Sequence, residues 1–432
     1  MTQPAAPPRQ PLLLPKIITT FQEGYRLPDL IRDSFAGLTV AIVALPLALA
    51  IAIASGVEPG IGLTTVIVAG LAISMLGGSR TQIGGPTAAF IVVVYGVVRD
   101  HGVSGLVTAT FLAGLILIAA AFLRVGSLIR YVPEPVIRGF TVGIGVVIAF
   151  SQIQDVLGLT GKVPAEFFAR LSALWAVRDT FSPASLGIAA LTLAIIIGFR
   201  RYAPRFPGMV VAVGVASLLV VVFGLQVDTI GSRFGELAGG LPMPRLPDLS
   251  PQRLAEMLPS AFIIAFLAGI ESLLSAMVAD KMSGGRHRPN SEVLAQGVAN
   301  AASALFGGLP ATGAIARTAT NIRAGGKTPV AGVVHALVVL VFVLVAAPLV
   351  SYFALPSLAA ILLLTAWNMS EPHRLGEDLR GRREDILVML LTFGLTVLVD
   401  LTTAISVGLA VSFALRFRRR QQPPPDWHTP QT

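Results

Sequence analysis

The chain has 432 residues, of which 54% are hydrophobic and only 13% charged, against roughly 25% charged in an ordinary soluble domain. Its net charge is +9 and it has no cysteine, which excludes disulfides, thiolate metal sites and cysteine nucleophiles. No basic soluble domain is present to carry the charge to nucleic acid.

The chain opens on "MTQPAAPPRQPLLLPK", proline-rich and without the basic start, apolar core and cleavage site of a signal peptide. Residues 1–30 therefore read as a cytoplasmic amino-terminal segment, and the first membrane helix directs insertion. Apolar runs of roughly 17 to 25 residues, enough to cross about 30 Å of hydrocarbon, then predict helices near 34–55, 59–77, 86–98, 104–123, 134–157, 184–199 and 208–225. A polar interval rich in proline and glycine, 228–256, reads as an extracytoplasmic linker. Helices follow near 259–280, 291–306, 314–324, 329–350, 354–369, 385–400 and 402–417, and 419–432 is a tail. Basic residues concentrate in alternate loops: Arg124, Arg130 and Arg138; Arg200, Arg201 and Arg205; Lys281, Arg286 and Arg288; Arg374, Arg380, Arg382 and Arg383; then Arg416, Arg418, Arg419 and Arg420. The positive-inside rule puts these loops and both termini in the cytoplasm. The expected molecule is an all-α, multi-pass protein of the cell (inner) membrane, surrounded by lipid, with about fourteen transmembrane segments.

Two segments are too short. At 1.5 Å per residue, 86–98 and 314–324 reach only about 16 to 20 Å. Both follow the same punctuation, "LGGSRTQIGGP" from Leu76 and "FGGLPATGAIA" from Phe306, and their leading glycine pairs, Gly77-Gly78 and Gly307-Gly308, lie 230 positions apart (307 less 77). Each short helix is third of seven, so the second copy enters from the opposite side. This is the inverted-repeat plan of secondary transporters, with 31–227 as the first repeat and 257–418 as the second. Non-helical backbone at membrane depth is tolerated only beside protein or a water-filled cavity, so the discontinuous third and tenth helices mark one.

The block "NSEVLAQGVANAASALFGGLPATGAIARTATNIRAGGKTPVAG" (Asn290 to Gly332) resembles the most recognisable part of the sulfate permease family of anion transporters. Five more stretches resemble that family in order: "LPLALAIAIASGVEPGIGL", "GGPTAAF", "VIRGFTVGIGVVIAFSQI", "GIESLLSAMVADKM" and "LAAILLLTAWNM". The resemblance implies a core domain and a gate domain, an anion held between the facing N-termini of the third and tenth helices, and a homodimer. It departs at the end, because the family usually appends a cytoplasmic STAS domain and this chain stops at "RFRRRQQPPPDWHTPQT" without one.

Residue chemistry fits that expectation. Each helix N-terminus presents unsatisfied N–H groups and a dipole end worth about +0.5 charge. In the first half-helix the terminus is Gly85, Pro86, Thr87 and Ala88; in the second it is Ala314, Ile315, Ala316, Arg317 and Thr318. Arg317 matches the family position that puts positive charge beside the anion; the alternative is a snorkelling structural cation. Arg323 and Lys327 read as snorkelling, and Thr318, Thr320 and Asn321 as either site or packing residues. Glu271 sits halfway along an otherwise uncharged stretch, where a carboxylate marks a proton pathway or a fixed ion pair with Arg317; beside it Ser272 is a candidate hydroxyl donor. Pro46 predicts a kink or break that exposes backbone next to the site, with Leu45 and Leu47. Gly139, Gly143 and Gly145 read as close-packing positions. Gln152 faces the cavity or bonds within the bundle, His335 reads as a hydrogen-bonded core histidine, and Asp155 and Asp400 as solvated helix ends. The five histidines are dispersed, no zinc or nucleotide motif occurs, and "GIES" lacks the second glycine of a nucleophile elbow, so neither enzyme chemistry, metal nor cofactor is expected. The expected function is proton-coupled symport of a small sulfate-, bicarbonate- or fumarate-like anion by alternating access. An exchanger, a channel-like member of the same family, and a nucleobase permease of the same fold are the alternatives.

Overall fold

The computed structural model describes residues 13–124, 126, 133–161, 163–164, 167–203, 206–237, 239–399 and 401–418. Arg130, Arg205, Asp400, Arg419 and Arg420, and the side chains of Arg416 and Arg418, lie outside the described residues. In chain order the helices are α1 (Lys16–Gln22), α2 (Leu27–Ala54), α3 (Pro59–Leu76), α4 (Ile91–Phe122), α5 (Glu134–Leu157), α6 (Phe167–Ala176), α7 (Pro183–Tyr202), α8 (Gly208–Phe223) and α9 (Ile230–Phe234). They continue with α10 (Pro251–Ser283), α11 (Pro289–Leu305), α12 (Ile315–Arg323), α13 (Val330–Ala346), α14 (Leu355–Ser370), α15 (Pro372–Asp378), α16 (Arg383–Leu398) and α17 (Leu401–Arg418). Two-residue strands β1 (Gly84–Gly85) and β2 (Thr312–Gly313) precede the short helices.

Every expected span meets a helix. The spans at 86–98 and 104–123 are the two parts of α4, which breaks at Gly102 (φ 70°, ψ −179°), a backbone conformation that glycine adopts without steric cost. Proline in the first turn starts α2, α3, α5, α7, α10, α11 and α14, where its missing N–H costs no helical bond. Two boundaries move, and one expected break is not there. The first membrane helix begins at Leu27, inside the expected amino-terminal segment, and α10 begins at Pro251, inside the expected linker. Pro46 does not break its helix: α2 runs through it, and the Ile42 carbonyl loses the donor that a residue with an N–H at 46 would supply.

The helices pack as two groups. In one, α11 and α10 lie on α4, α13 on α2 and α3, and α12 on α10 and α2; in the other, α14 and α16 lie on α5, α7 on α8 and α14, and α17 on α16. Glycine sets the closest approaches. A Cβ on Gly114 would meet Ala301 N at 2.6 Å and one on Gly297 would meet Ile118 N at 2.7 Å, where α4 crosses α11; Gly139 abuts the Met389 backbone where α5 crosses α16. Gly143 and Gly145 likewise face Thr396 and Ser370, so all three α5 glycines are packing positions. The groups meet where α2 touches α14 and α8, and where a single 3-10 turn, Ala88–Phe90, touches α14 and α5.

The segment between α8 and α10 joins the two groups along one face. Ile230 N donates to Phe353 O and Leu355 N to Asp228 O, both at 2.9 Å, while Arg245 N donates to Leu305 O at 2.7 Å. Asp155, expected to be solvated, instead pairs with Arg233 at 2.8 Å. On the opposite face Arg138 braces α5 to Asp378 at 2.6 Å and Glu371 at 3.2 Å.

Candidate functional site

The two short helices are brought nose to nose by backbone pairing. β1 and β2 run antiparallel, with Gly84 opposite Gly313 and Gly85 opposite Thr312. Ala314 N adds a bond to Ile83 O at 2.8 Å, and Thr318 Oγ1 accepts from Ile83 N at 3.0 Å. From this pairing the chain leaves in two directions, into the 3-10 turn that leads to α4 and into α12. Neither N-terminus has a side-chain cap: the N-cap residues are Thr87 and Ala314. The leading N–H groups of both helices are therefore aimed at one region with their dipole ends, and Ala316, in the first turn of α12, is exposed.

Arg317 lies beneath this pairing at 1% exposure. Its Nη2 donates to Pro86 O at 3.1 Å, while Nε and Nη1 have no partner among the described residues. Gly85, at φ 150°, lets the backbone lie against the guanidinium, and a Cβ there would collide with Nη1. Arginine buried so deeply faces protein rather than snorkelling. Glu271 comes from α10, which packs against both β2 and the 3-10 turn. Its Oε2 accepts from Thr87 Oγ1 at 2.8 Å, and the Arg317 guanidinium, which forms no direct ion pair with it, is near enough to act on its charge. A carboxylate, a guanidinium and two dipole ends thus lie around one backbone pairing.

Of the sequence-predicted site residues, Gly85, Pro86, Thr87, Ala88, Ala316, Arg317 and Glu271 are brought together. Two take other roles. Ser272 is fully buried and spends its hydroxyl proton on Glu292 Oε1 at 3.1 Å while accepting from Gln82 Nε2 at 2.9 Å, so it has no proton left for a ligand. Thr318 is also fully buried, its N–H bonded to Ala314 O at 2.9 Å and its hydroxyl to Ile83 N and Ser275; it holds the pairing together rather than facing it. Leu45 is half-buried and Pro46 buried on α2, which packs along α12. Asn321 donates to Thr81 O at 2.8 Å and Thr320 to Ala316 O at 2.8 Å, while Gln152 bonds locally to Ser151. His335 is buried as expected, but neither ring nitrogen has a partner among the described residues, so it is not the hydrogen-bonded core histidine expected.

The most connected polar residue escapes a reading of single charges. Glu292 is fully buried and accepts from Gly78 N at 2.9 Å, Ser79 N at 3.2 Å, Ser272 Oγ at 3.1 Å and Gln296 Nε2 at 2.8 Å. It thereby fixes the loop that enters β1 to α10 and α11. Two further residues of α11 do the same for β2: Asn300 exchanges two bonds with the Ala311 backbone, at 2.8 and 2.9 Å, and Ser303 donates to Leu309 O at 2.7 Å. Positions 292, 296, 300 and 303 form one polar stripe at helical spacing inside an apolar chain, and that stripe was the available signal. Asp33 plays the matching part beyond α12, accepting from Lys327 N at 2.9 Å and from the Thr328 hydroxyl.

Comparison with known proteins bears on this geometry. A family model described as the sulfate permease family matches residues 30–392. The chain is 43% identical over 402 residues to YvdB of Bacillus subtilis, covering 93% of this chain and 76% of that protein. It is 31% identical over 398 residues to the bicarbonate transporter BicA of Picosynechococcus, covering 90% and 70%. The transmembrane domain of a cyanobacterial BicA superposes with a TM-score of 0.79 at 32% identity, over 88% of this chain and 98% of that one. Murine Slc26a9, an anion transporter solved in an inward-facing state, superposes with a TM-score of 0.86 at 20% identity, over 98% and 74%, a likeness of fold alone.

Proposed function

The chain belongs to the sulfate permease family, a family of anion transporters, and we propose that it works as a proton-coupled symporter of a small anion by alternating access. The observation that carries this is the pairing of β1 with β2, which aims two uncapped helix ends at one point beside Arg317. An anion there receives the leading N–H groups and the two guanidinium nitrogens without a partner among the described residues, Nε and Nη1. The group holding the site is the core; α5, α7, α8, α14, α16 and α17 are the gate against which it moves. The basic loops face the cytoplasm of a cell membrane, and the two halves are inverted repeats.

Charge supplies the coupling. Two dipole ends and Arg317 together contribute about +2; ionised Glu271 lowers that to about +1, and protonation restores it. A dianion is therefore held better when Glu271 carries a proton, so lowering the pH on the side of entry raises uptake. Thr87 is tied to this equilibrium, because its hydroxyl donates to the Glu271 carboxylate. The name of BicA points to bicarbonate, and YvdB is provisionally named a sulfate transporter; two dipole ends and one guanidinium favour the dianion, sulfate or a fumarate-like dicarboxylate.

Radiolabelled uptake into proteoliposomes tests this with sulfate, bicarbonate, fumarate and chloride, with and without an inward proton gradient. One anion should accumulate only with the gradient, saturably, and resist competition by uracil. Arg317→Ala should lower its uptake about 10- to 100-fold, the equivalent of roughly 1.5–3 kcal/mol for hydrogen bonds to a charged group. Glu271→Gln should transport with no pH dependence. Downhill, unsaturable flux would establish a channel instead, and a Glu271→Gln variant with the wild-type pH profile would remove Glu271 from the coupling.

A further inference from the structure

On the face that carries α1, a cavity of about 1020 Å³ lies between that helix, the loop joining α10 to α11, and the turn after α12. Five cations line it, Lys16, Arg80, Arg286, Arg288 and Lys327, against a single carboxylate, Asp280. That carboxylate is already committed: Asp280 Oδ2 accepts from His287 N at 2.9 Å and lies 2.6 Å from its Nδ1. Arg80 pairs with Glu23, and Arg288 donates to Leu14 O at 2.6 Å. Lys16, Arg286 and Lys327 make no ion pair among the described residues. The crowding is enforced by backbone, since Lys16 N bonds Gly77 O at 2.9 Å and Arg288 N bonds Gly78 O at 3.0 Å, which draws α1 and α11 to the same end of α3. Burial, with Arg288 and Arg80 close by, holds the Lys16 ammonium below its usual range.

We propose that this cavity binds a phosphate-bearing anion, at a site separate from the one that holds the transported ion. A concave surface on which Lys16, Arg286 and Lys327 make no ion pair among the described residues, beside one occupied carboxylate, holds a positive potential. Guanidinium forks and an ammonium are the groups that recognise a phosphate. Sulfate or bicarbonate would leave most of these cations unmatched, whereas a diphosphate or a phospholipid headgroup at the membrane surface engages several at once. The position also reaches both halves of the transport site. Ser79, Arg80 and Thr81 lead into β1, and Gly325 to Lys327 follow α12, which ends about 9 Å along the helix from Arg317 at 1.5 Å per residue. An anion spanning Arg80 and Lys327 therefore tethers the segments entering one half-helix and leaving the other.

The test uses the full chain purified in neutral detergent. Its thermal unfolding midpoint is followed against inorganic pyrophosphate at constant ionic strength, and separately in nanodiscs of phosphatidylglycerol or phosphatidylcholine. A saturable rise with pyrophosphate identifies a free phosphate compound as the source of the ligand, and a rise confined to phosphatidylglycerol identifies the lipid headgroup. In either case the K16Q/R286Q/K327Q variant should need at least about tenfold more probe for the same shift, whereas Arg317→Ala should respond as wild type. No shift with either probe, an unaltered response in the triple variant, or loss of the response in Arg317→Ala would overturn the proposal. Should the triple variant fail to fold, Arg286→Gln and Lys327→Gln, each changing an exposed side chain, should singly weaken the response about two- to threefold.

Discussion

A guanidinium at 1% exposure with one protein hydrogen bond is an expensive thing to keep unless something else engages it. Its geometry is as important as its charge. Arg317→Lys keeps the cation but replaces the planar fork with a single point that cannot both hold Pro86 O and reach an anion. The half-saturating anion concentration should rise at least about tenfold while the maximal rate falls less, a split that concentration-dependent uptake would reveal. Glu292 makes the contrasting case, since its four partners all donate. Glu292→Ala leaves two backbone N–H groups, a hydroxyl and an amide unmatched, at about 1–3 kcal/mol for each buried donor. Its unfolding midpoint should drop by several degrees, and Ser272→Ala, which removes one link, should drop it less; equal midpoints for Glu292→Ala and wild type would deny the anchoring role. Arg317 and Glu271 were legible in the sequence because a charge within an apolar run is rare. Glu292 was not, because it occupies the first turn of α11, where an acidic residue reads as an ordinary partner for the helix dipole. Asp155 and Ser272 were misjudged for a related reason: their partners, Arg233 and Glu292, are remote in sequence or hidden in another helix.

Between residue and molecule, the decisive element is the smallest. A four-residue sheet of Gly84, Gly85, Thr312 and Gly313 sets where two helices begin, and side chains would crowd it. Gly85→Ala would put a methyl group into the Arg317 guanidinium at a backbone angle that alanine avoids. Anion transport should be lost while the protein remains folded and monodisperse, as size-exclusion chromatography with uptake would show; wild-type uptake would mean that the backbone at 85 does not need to touch the arginine. The repeated glycine punctuation made both half-helices legible, along with the break between the spans of α4. Two other elements were not. Helix α6 carries the exposed Phe168, Leu171 and Trp175, and ten residues are too few for a span-length window to register. Helix α15 has seven residues, and it exists where Arg138 reaches across from α5 to Glu371 and Asp378, a tertiary cause that local sequence does not contain.

For the whole molecule, fourteen spans follow from hydropathy, but which helices pack together does not. That α5 packs most extensively on α14 and α16, far more than on the neighbouring spans α4 and α7, depends on glycine surfaces meeting across more than two hundred residues. Orientation is directly measurable, because a chain without cysteine accepts single reporters cleanly. In intact cells Met243→Cys, in the exposed segment before α10, should react with a membrane-impermeant maleimide. Ser283→Cys, at the end of α10 on the face of α1, should react only after the membrane is opened; the reverse pattern would invert the proposed topology. The pairing of β1 with β2 has one more consequence, for the birth of the protein. Gly84 leaves the ribosome long before Thr312 exists, so the first half-helix enters the bilayer with its leading amides and the backbone of its future strand unmatched. Its native partner strand does not exist until well over two hundred further residues have been translated. The proposed anion site is thus assembled late and from both halves together, and a chain stalled before position 312 would lack the second strand of its pairing.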